Sequence, residues 1–138
     1  MNDRAMALQA FKTGEIRMTL LAVDSSVALA RELVRYALAK WGFGRSLIDD
    51  SILVASEIVT NAARAAPYQE IRFRVAVLDG APLLECWDPA PELPCPREAG
   101  VDDVSGRGLA IIAAYAKEAG VRPSATGIGK IAWALMST

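Results

Sequence analysis

Glu57 and Asn61 are a pair of residues whose types and spacing can support chemistry. They stand four positions apart in a segment of helical periodicity, so both side chains project from one side of the predicted helix. A carboxylate beside a carboxamide can bind a hydrated divalent cation, or the carboxylate can act as a general base on a hydroxyl group or water. An ordinary polar pair on a solvated helix face has the same spacing, and that interpretation stays open.

Asp88 is the second candidate, because it stands at the end of a predicted strand and directly before Pro89. A carboxylate that faces a cleft from a strand end can accept a hydrogen bond from the amino group of a purine. Asp is also favoured where a turn begins, and this is the structural alternative for the residue.

Two glycine-containing segments suit the binding of phosphate. Ser105-Gly106-Arg107-Gly108 precedes a predicted helix, whose N-terminus favours anions, and Arg107 can add a charge-assisted hydrogen bond. Thr126-Gly127-Ile128-Gly129-Lys130 precedes the last predicted strand, and Lys130 can face a phosphate or a protein partner. A hinge before a helix and a tight turn with a solvated lysine are the structural alternatives. The first segment is not a P-loop, because no Gly-Lys-Ser/Thr follows it.

The composition restricts what these residues can do. The 138 residues include no histidine, which excludes His-ligated metals and Ser-His or Cys-His nucleophiles. Cys86 and Cys95 are too few for a zinc site or a disulfide framework, and two free thiols are the simplest interpretation. Fifteen basic and 16 acidic residues give a net charge of −1, which argues against direct DNA binding. No apolar run suits a signal peptide or a membrane span, so we expect a cytoplasmic protein.

Hydrophobic periodicity predicts the elements that position these residues. Strands are predicted at 15–21, 71–77, 83–87 and 131–136, with a hairpin turn at Asp79-Gly80. One helix is predicted to begin at an N-cap among Asp24, Ser25 and Ser26 and to be ended by Gly42 and Gly44. A second helix is predicted to run from a capping box at Ser46 and Asp49 to Pro67. The inward stripe of the second helix is predicted as Ile48, Ile52, Ala55, Val59, Ala62 and Ala66. This order predicts an α/β two-layer sandwich.

The remaining segments complete the predicted organisation. Residues 1–14 are interpreted as a flexible tail, which leaves residues 15–138 as one domain. Residues 89–105 contain four prolines and no periodicity, and such a long loop in a compact domain tends to be a lid or a binding loop. A third helix is predicted from Gly106 to Gly120, with its inward face at Leu109, Ile112, Ala113 and Ala116.

In this order the motifs closely resemble the N, G1, G2 and G3 boxes of the histidine kinase-like ATPase (GHKL) superfamily. The resemblance covers residues 15–136 and is carried by Ser56-Glu57-Ile58-Val59-Thr60-Asn61-Ala62, Trp87-Asp88-Pro89, Ser105-Gly106-Arg107-Gly108-Leu109 and Gly129-Lys130-Ile131-Ala132-Trp133. Within the superfamily the chain looks most like the single-domain anti-sigma factor serine kinases. The resemblance implies a Bergerat-type ATP-binding fold, with a mixed sheet on one side and helices on the other.

The resemblance also implies a role for each matching residue. Asn61 would coordinate a Mg²⁺ ion that bridges the ATP phosphates, and Glu57 would be the general base. Asp88 would accept a hydrogen bond from the adenine amino group, and Thr126 would support it through a water molecule. The other nucleotide-binding residues that the resemblance implies, around the phosphates and in the last glycine segment, are Gly106, Arg107, Gly108, Leu109 and Lys130.

The partners that the resemblance implies are a sigma factor and a STAS-domain anti-anti-sigma protein, whose serine would receive the γ-phosphate. A homodimer is common among such relatives, and the first strand and helix are the candidate face for it.

Three departures from the family pattern favour other functions. Ala65 stands where members commonly carry histidine, Ala90 replaces the glycine of the Asp-x-Gly motif, and the predicted lid is rich in proline and acidic residues. A catalytically weak or inactive nucleotide-binding module of a partner-switching pathway is therefore the alternative. An interaction protein that no longer binds nucleotide is a third hypothesis.

Overall fold

The computed structural model of the chain describes residues 14–91 and 104–137, with the side chains of residues 104–109 excepted. Most of the predicted tail, most of the predicted lid and Cys95 therefore lie outside the described residues. The described elements are β1 (Glu15–Leu21), α1 (Asp24–Lys40), α2 (Arg45–Ala65), β2 (Glu70–Leu78), β3 (Ala81–Asp88), α3 (Val104–Tyr115), β4 (Ala116–Pro123) and β5 (Lys130–Met136).

The strands form one sheet in the order β1-β2-β3-β5-β4. The α/β two-layer sandwich is confirmed, but the four described strand pairings are all antiparallel, where a mixed sheet was expected. The connections give the reason. The helix pair α1–α2 returns the chain to the end of the sheet at which β1 finishes, so β2 runs back beside β1. Hairpins then join β2 to β3 and β4 to β5.

The β2–β3 hairpin turns at the predicted residues. Asp79 and Gly80 both have positive φ, 51° and 80°, as a type I′ turn requires. The turn sets the register in which Val75 faces Leu84 and Phe73 faces Cys86. All four of these side chains are fully buried, so this hairpin supplies the centre of the core.

The helices cover one face of the sheet, and α2 is the central helix. It packs against α1, against α3 and against the middle strands. Its predicted stripe is buried except for Ile48, which is half-buried, and Val54 and Ile58 are buried as well. The buried surface is wider than one stripe because α2 has a helix on each side. In the described ranges, no helix is long and apolar enough to cross a membrane.

The helix caps differ from the prediction. The N-cap of α1 is Val23, without a side-chain capping bond, and the Ser26 hydroxyl instead donates to the carbonyl of Leu21. The N-cap of α2 is Gly44, so the capping box predicted at Ser46 and Asp49 does not form. Because α2 begins at Arg45, Ser46 already lies inside the first turn, where its hydroxyl no longer has N-cap geometry.

The prediction for the third helix was wrong at both ends. Helix α3 begins at Val104 and ends at Tyr115, and the residues up to Pro123 form β4, a strand that was not predicted. Ile112 is buried as expected, whereas Ala113 is exposed and Ala116 pairs with Met136 in the sheet. The sequence Ala-Lys-Glu-Ala favours helix locally, but the hydrogen bonds of β5 supply a stronger constraint that no local pattern reveals.

Strand β5 places its alanines and Met136, rather than Trp133, under the helices. Ala134 and Met136 are fully buried in the core, whereas Trp133 belongs to the uncovered face and is only half-buried. Trp133 pairs with Gly120 of β4, and a Cβ added at Gly120 would lie 3.1 Å from the indole ring. Gly120 therefore makes room for a neighbouring side chain and does not end a helix.

A buried hydroxyl on α2 gives a prediction about stability. Ser51 is fully buried, and its Oγ has no hydrogen-bond partner among the described residues. We expect Ser51→Ala to raise the free energy of unfolding by about 1 kcal/mol, because it removes a desolvated polar group and introduces a better helix former. Denaturant titration measures the change.

Ser56→Ala is the matched control for this experiment. The Ser56 hydroxyl lies one turn further along α2 and donates to the carbonyl of Ile52 at 2.9 Å. Its removal is expected to leave stability nearly unchanged or to lower it slightly. A loss of stability in Ser51→Ala as large as that in Ser56→Ala would contradict the prediction.

Candidate functional site

The strand directions bring several of the predicted site residues to one end of the molecule. Asp88 is the last residue of β3 and Lys130 is the first of β5, and the register makes them cross-strand partners. Helix α2 runs toward the same end, because it leads into β2, whose first residue Glu70 pairs with Leu21 at the end of β1. The second half of α2 therefore lies at the end of the sheet that carries Asp88.

Helix α3 brings its first turn to this end as well. Tyr115, at the end of α3, lines a groove together with Asp49 and Asp50 from the start of α2. The two helices are therefore antiparallel. The backbone of the segment from Gly106 to Gly108, in the first turns of α3, lies toward the half of α2 that carries the predicted polar pair.

Glu57 and Asn61 lie on α2 beside its buried face, as the spacing predicted. Ile58, Val59 and Ala62 are buried and anchor the helix at this point, whereas Glu57 and Asn61 are half-exposed. Neither polar side chain forms a hydrogen bond or an ion pair with the described part of the chain. A carboxylate and a carboxamide on a fixed backbone are therefore both available to a ligand.

Asp88 and Lys130 form a buried ion pair at the end of the β3–β5 ladder. The Lys130 ammonium donates to Asp88 Oδ1 at 2.8 Å, and the backbone N–H of Ala90 donates to the same oxygen at 2.9 Å. Asp88 is 2% exposed and Lys130 is 7% exposed. The structural alternative of a solvated lysine is thus excluded. Asp88 also acts as a turn residue, because its carboxylate accepts the hydrogen bond from the backbone N–H of Ala90.

The glycine loop before β5 is held firmly against the end of β3. Gly129 has φ +79°, and a Cβ at this position would overlap the backbone carbonyl oxygen of Asp88 and lie 2.8 Å from the indole nitrogen of Trp87. That indole N–H donates to the carbonyl of Ile128 at 2.9 Å. These contacts fix the start of β5, and with it the position of Lys130 beside Asp88.

Thr126 occupies a different position from the ion pair. Its hydroxyl is 3.1 Å from the Ser124 hydroxyl and accepts a hydrogen bond from the backbone N–H of Ile128 at 3.4 Å. Thr126 lines a groove on the uncovered face of the sheet, whereas Asp88 points to the helix-covered side. The structure therefore brings Asp88 and Lys130 together and forms no direct hydrogen bond between Thr126 and Asp88.

The uncovered face of the sheet carries charged and aromatic residues whose role no sequence motif predicts. Its groove has a volume of about 330 Å³, and the guanidinium of Arg72 lies 4.4 Å from the ring centre of Trp87. Glu85 accepts hydrogen bonds from Arg74 and Arg122, each at 2.6 Å. Only the strand register brings these partners together, so no local signal in the sequence reveals them.

The carboxylates of this network have lowered pKa values. Burial alone would raise the pKa of Glu85, but hydrogen bonds from Arg122 and Arg74 outweigh it and hold the pKa below its ordinary value of 4.5. Hydrogen bonds from Arg17 and Arg74 lower the pKa of Glu15 in the same way. A pKa that is depressed in the folded state stabilises the protein above pH 4.5, and this contribution is lost as the pH falls through the folded value.

We therefore expect Glu85→Gln to lower the free energy of unfolding by about 2 kcal/mol at pH 7, because the amide removes the negative charge between Arg74 and Arg122 and keeps only one of the two hydrogen-bond acceptors. The difference from the wild type should shrink as the pH falls from 4.5 through the lower pKa of the folded protein, because the Glu85 carboxylate is protonated first in the unfolded chain and only at lower pH in the folded one. Denaturant titrations over a pH series measure it. The control is Glu70→Gln, since the Glu70–Arg72 pair is exposed and worth less than about 1 kcal/mol. A difference that is independent of pH would contradict the explanation.

Cys86 takes no part in the chemistry of this end of the sheet. Its side chain is fully buried on the helix-covered face, and it is a free thiol. Burial, with a smaller effect of the Asp88 charge, raises the pKa of the thiol to about 12. A thiol of this kind is inert as a nucleophile at neutral pH, because the thiolate is the reactive form.

The architecture and the site together define a class of protein. A family model described as the histidine kinase-like ATPase domain matches residues 20–131, and the chain belongs to this family. The family assignment implied by the sequence motifs is thus confirmed, and the antiparallel sheet with three helices on one face is the fold of such a domain. No curated protein is significantly similar to the chain in sequence.

Two solved structures have the same fold. One contains the RsbU and RsbW domains of Rv1364c from Mycobacterium tuberculosis, with a TM-score of 0.67 and 24% identity over 90% of this chain. This chain spans only 32% of that longer chain. The other is the SiaB–SiaC complex from Pseudomonas aeruginosa, with a TM-score of 0.63 and 14% identity over 96% of each chain. At these identities the likeness establishes the fold alone.

Proposed function

We propose that this protein binds ATP with Mg²⁺ and acts as a serine/threonine protein kinase of the anti-sigma factor type, with a serine of a STAS-domain protein as the phosphate acceptor. The observation that carries the proposal is the meeting of three features at one end of the sheet. They are the side chains of Glu57 and Asn61, which have no partner among the described residues, the buried carboxylate of Asp88, and the glycine-containing first turns of α3.

The roles follow from the chemistry of each group. Asn61 would supply an oxygen ligand to Mg²⁺, and in the described ranges no cluster of three acidic or cysteine side chains could hold the ion instead. The phosphates and water would therefore provide its remaining ligands, as is common for Mg²⁺. The segment from Gly106 to Leu109 would hold the phosphates at the start of α3. Glu57 would take the proton from the attacking serine hydroxyl.

Asp88 would read the adenine amino group, and its oxygen Oδ2 makes no hydrogen bond with the described residues. Thr126 would contribute to the base site only through water, because its described hydrogen bonds go to Ser124 and Ile128. Lys130 would belong to the same site through its ion pair with Asp88.

The two structural neighbours support a role in partner switching, since one contains an RsbW domain and the other is a complex of two proteins, SiaB and SiaC. We propose a STAS-domain protein and a sigma factor as partners in the cytoplasm, with a homodimer as the working form. Ala65 and Ala90 favour the second candidate, a nucleotide-binding module in the same kind of pathway that transfers phosphate weakly or not at all.

Calorimetric titration of ATP into the purified protein, with and without Mg²⁺, tests the proposal. We expect binding that Mg²⁺ strengthens, and we expect Asn61→Ala to weaken the Mg²⁺-dependent affinity by about tenfold or more. Gln69→Ala, which removes an exposed carboxamide just beyond α2, is the matched control and should leave affinity unchanged.

Each outcome of the titration has a distinct meaning. No binding at millimolar ATP would overturn the proposed function and leave a protein-interaction role. Binding with the same Mg²⁺ dependence in Asn61→Ala would overturn the role of Asn61 while keeping nucleotide binding.

A further inference from the structure

The Asp88–Lys130 pair has unused hydrogen-bonding capacity although it is buried. Asp88 Oδ1 receives both of the described bonds, from Lys130 and from Ala90, and Oδ2 receives none from the described residues. The Lys130 ammonium carries three N–H groups, and one of them is used in the described bond to Asp88. The pair thus presents an acceptor and a donor side by side. A ligand that offers a donor next to an acceptor can complete these hydrogen bonds.

The position of Lys130 is fixed by the backbone. Asp88 and Lys130 close the β3–β5 ladder as cross-strand partners, so both side chains leave the sheet on the helix-covered side. Close packing of Gly129 on the Asp88 carbonyl and the bond from Trp87 to Ile128 hold the loop in this register. For Lys130 to bind a phosphate elsewhere, Asp88 would have to lose its buried counter-ion, which is strongly unfavourable.

We infer that Lys130 is a specificity-determining residue of the nucleotide site, and that it donates a hydrogen bond to N1 of adenine while Asp88 Oδ2 accepts one from the neighbouring amino group. The inference rests on the proposed function, which places the adenine amino group at Asp88. It adds a direct charged contact to the base.

The hydrogen-bonding edge of adenine explains why Lys130 fits beside the Asp88 carboxylate. Adenine presents a donor, its amino group, next to an acceptor, N1, and the Asp88–Lys130 pair presents the complementary acceptor and donor. Guanine presents an oxygen acceptor next to the N1–H donor, which is the reverse order along the edge. The amino group of adenine goes to the carboxylate in the proposed site, so the order favours adenine and leaves N1 to Lys130.

A ligand analogue tests the contact in the unmodified protein. In 1-deaza-ATP a C–H group replaces N1 while the amino group is kept. We expect the wild-type protein to bind this analogue about tenfold to a hundredfold more weakly than ATP, because a buried charge-assisted hydrogen bond is lost. GTP should bind more weakly than ATP. Calorimetry in the presence of Mg²⁺ measures all three affinities.

Variants of Lys130 separate a direct contact from a structural role. In Lys130→Met the preference for ATP over 1-deaza-ATP should disappear, and in Lys130→Gln, which keeps an N–H donor, part of the preference should return. Lys117→Met removes an exposed lysine of β4, changes the net charge equally, and should keep the full preference. Thermal unfolding establishes that each variant is folded. The measured quantity is the ratio of the affinities for ATP and 1-deaza-ATP, and a general loss of nucleotide binding lowers both affinities without changing this ratio.

The outcomes distinguish this inference from the proposed function. If the wild-type protein binds neither nucleotide, the proposed function fails and the inference fails with it. If ATP binds but 1-deaza-ATP binds equally well, only the inference fails. If Lys130→Met still prefers ATP over 1-deaza-ATP, water or another group donates the hydrogen bond to N1. If the protein binds GTP more tightly than ATP, the Asp88–Lys130 pair recognises the edge of guanine and not that of adenine. Either result would overturn the assignment of Lys130.

Discussion

Glu57→Gln is expected to lower the rate of phosphate transfer to the serine of a STAS-domain partner by about 100-fold or more, because a general base contributes a factor of that size. Affinity for ATP with Mg²⁺ should stay within about twofold of the wild-type value, since Gln keeps the size and shape of the side chain and no proton moves during binding. Transfer of labelled γ-phosphate to the partner and calorimetric titration of ATP measure the two quantities separately.

The structure makes Glu57 suitable for this test. The carboxylate is half-exposed and has no ion pair or hydrogen bond with the described residues, so its replacement breaks no structural contact there. The adjacent residues Ile58 and Val59 are buried in the core and keep the helix in place. A loss of activity in Glu57→Gln can therefore be assigned to the reaction and not to a change of fold.

Asp49→Asn is the matched control, because it removes one exposed carboxylate from the first turns of the same helix. Its rate of phosphate transfer should equal that of the wild type. If Glu57→Gln transfers phosphate as fast as the control, Glu57 is not the general base. If the wild type binds ATP but transfers no phosphate to any STAS-domain partner, the nucleotide-binding module without kinase activity becomes the better interpretation.

Gly129→Ala is expected to have the largest effect on stability and to lower the free energy of unfolding by about 3 kcal/mol or more. Two causes add. The backbone at Gly129 has φ +79°, in the left-handed region that side chains avoid, and the new methyl group would overlap the carbonyl oxygen of Asp88. To relieve this overlap, the loop would have to move away from β3 and break the bond from Trp87 to Ile128.

Gly127→Ala separates the two causes. Gly127 has nearly the same backbone conformation, with φ +81°, but a Cβ at this position would meet no atom within 4 Å. It should therefore show only the cost of the left-handed conformation, about 1–2 kcal/mol. Denaturant titration of both variants gives the difference that is due to the contact with Asp88. If Gly129→Ala and Gly127→Ala lose the same stability, the overlap with the Asp88 carbonyl oxygen has no measurable cost and this explanation is wrong.

The sequence by itself determined the elements whose signals are local. The alternation in β1 and β2, the Asp-Gly turn between β2 and β3, and the stripe along α2 each depend on residues close together in the chain. The family also followed from short motifs, because their residue types and order are specific even where each one is ambiguous. The spacing of Glu57 and Asn61 is enough to place both on one side of a helix.

Only the tertiary structure decided which of these residues meet. Residues 116–119 favour helix locally, yet they belong to strand β4 because β5 offers its backbone hydrogen bonds. Asp88 and Lys130 are 42 positions apart, and Arg122 and Glu85 are 37 apart, so the strand order and register alone bring each pair together. Charge pairing across a sheet depends on register, and register is set by turns and packing distributed over the whole domain.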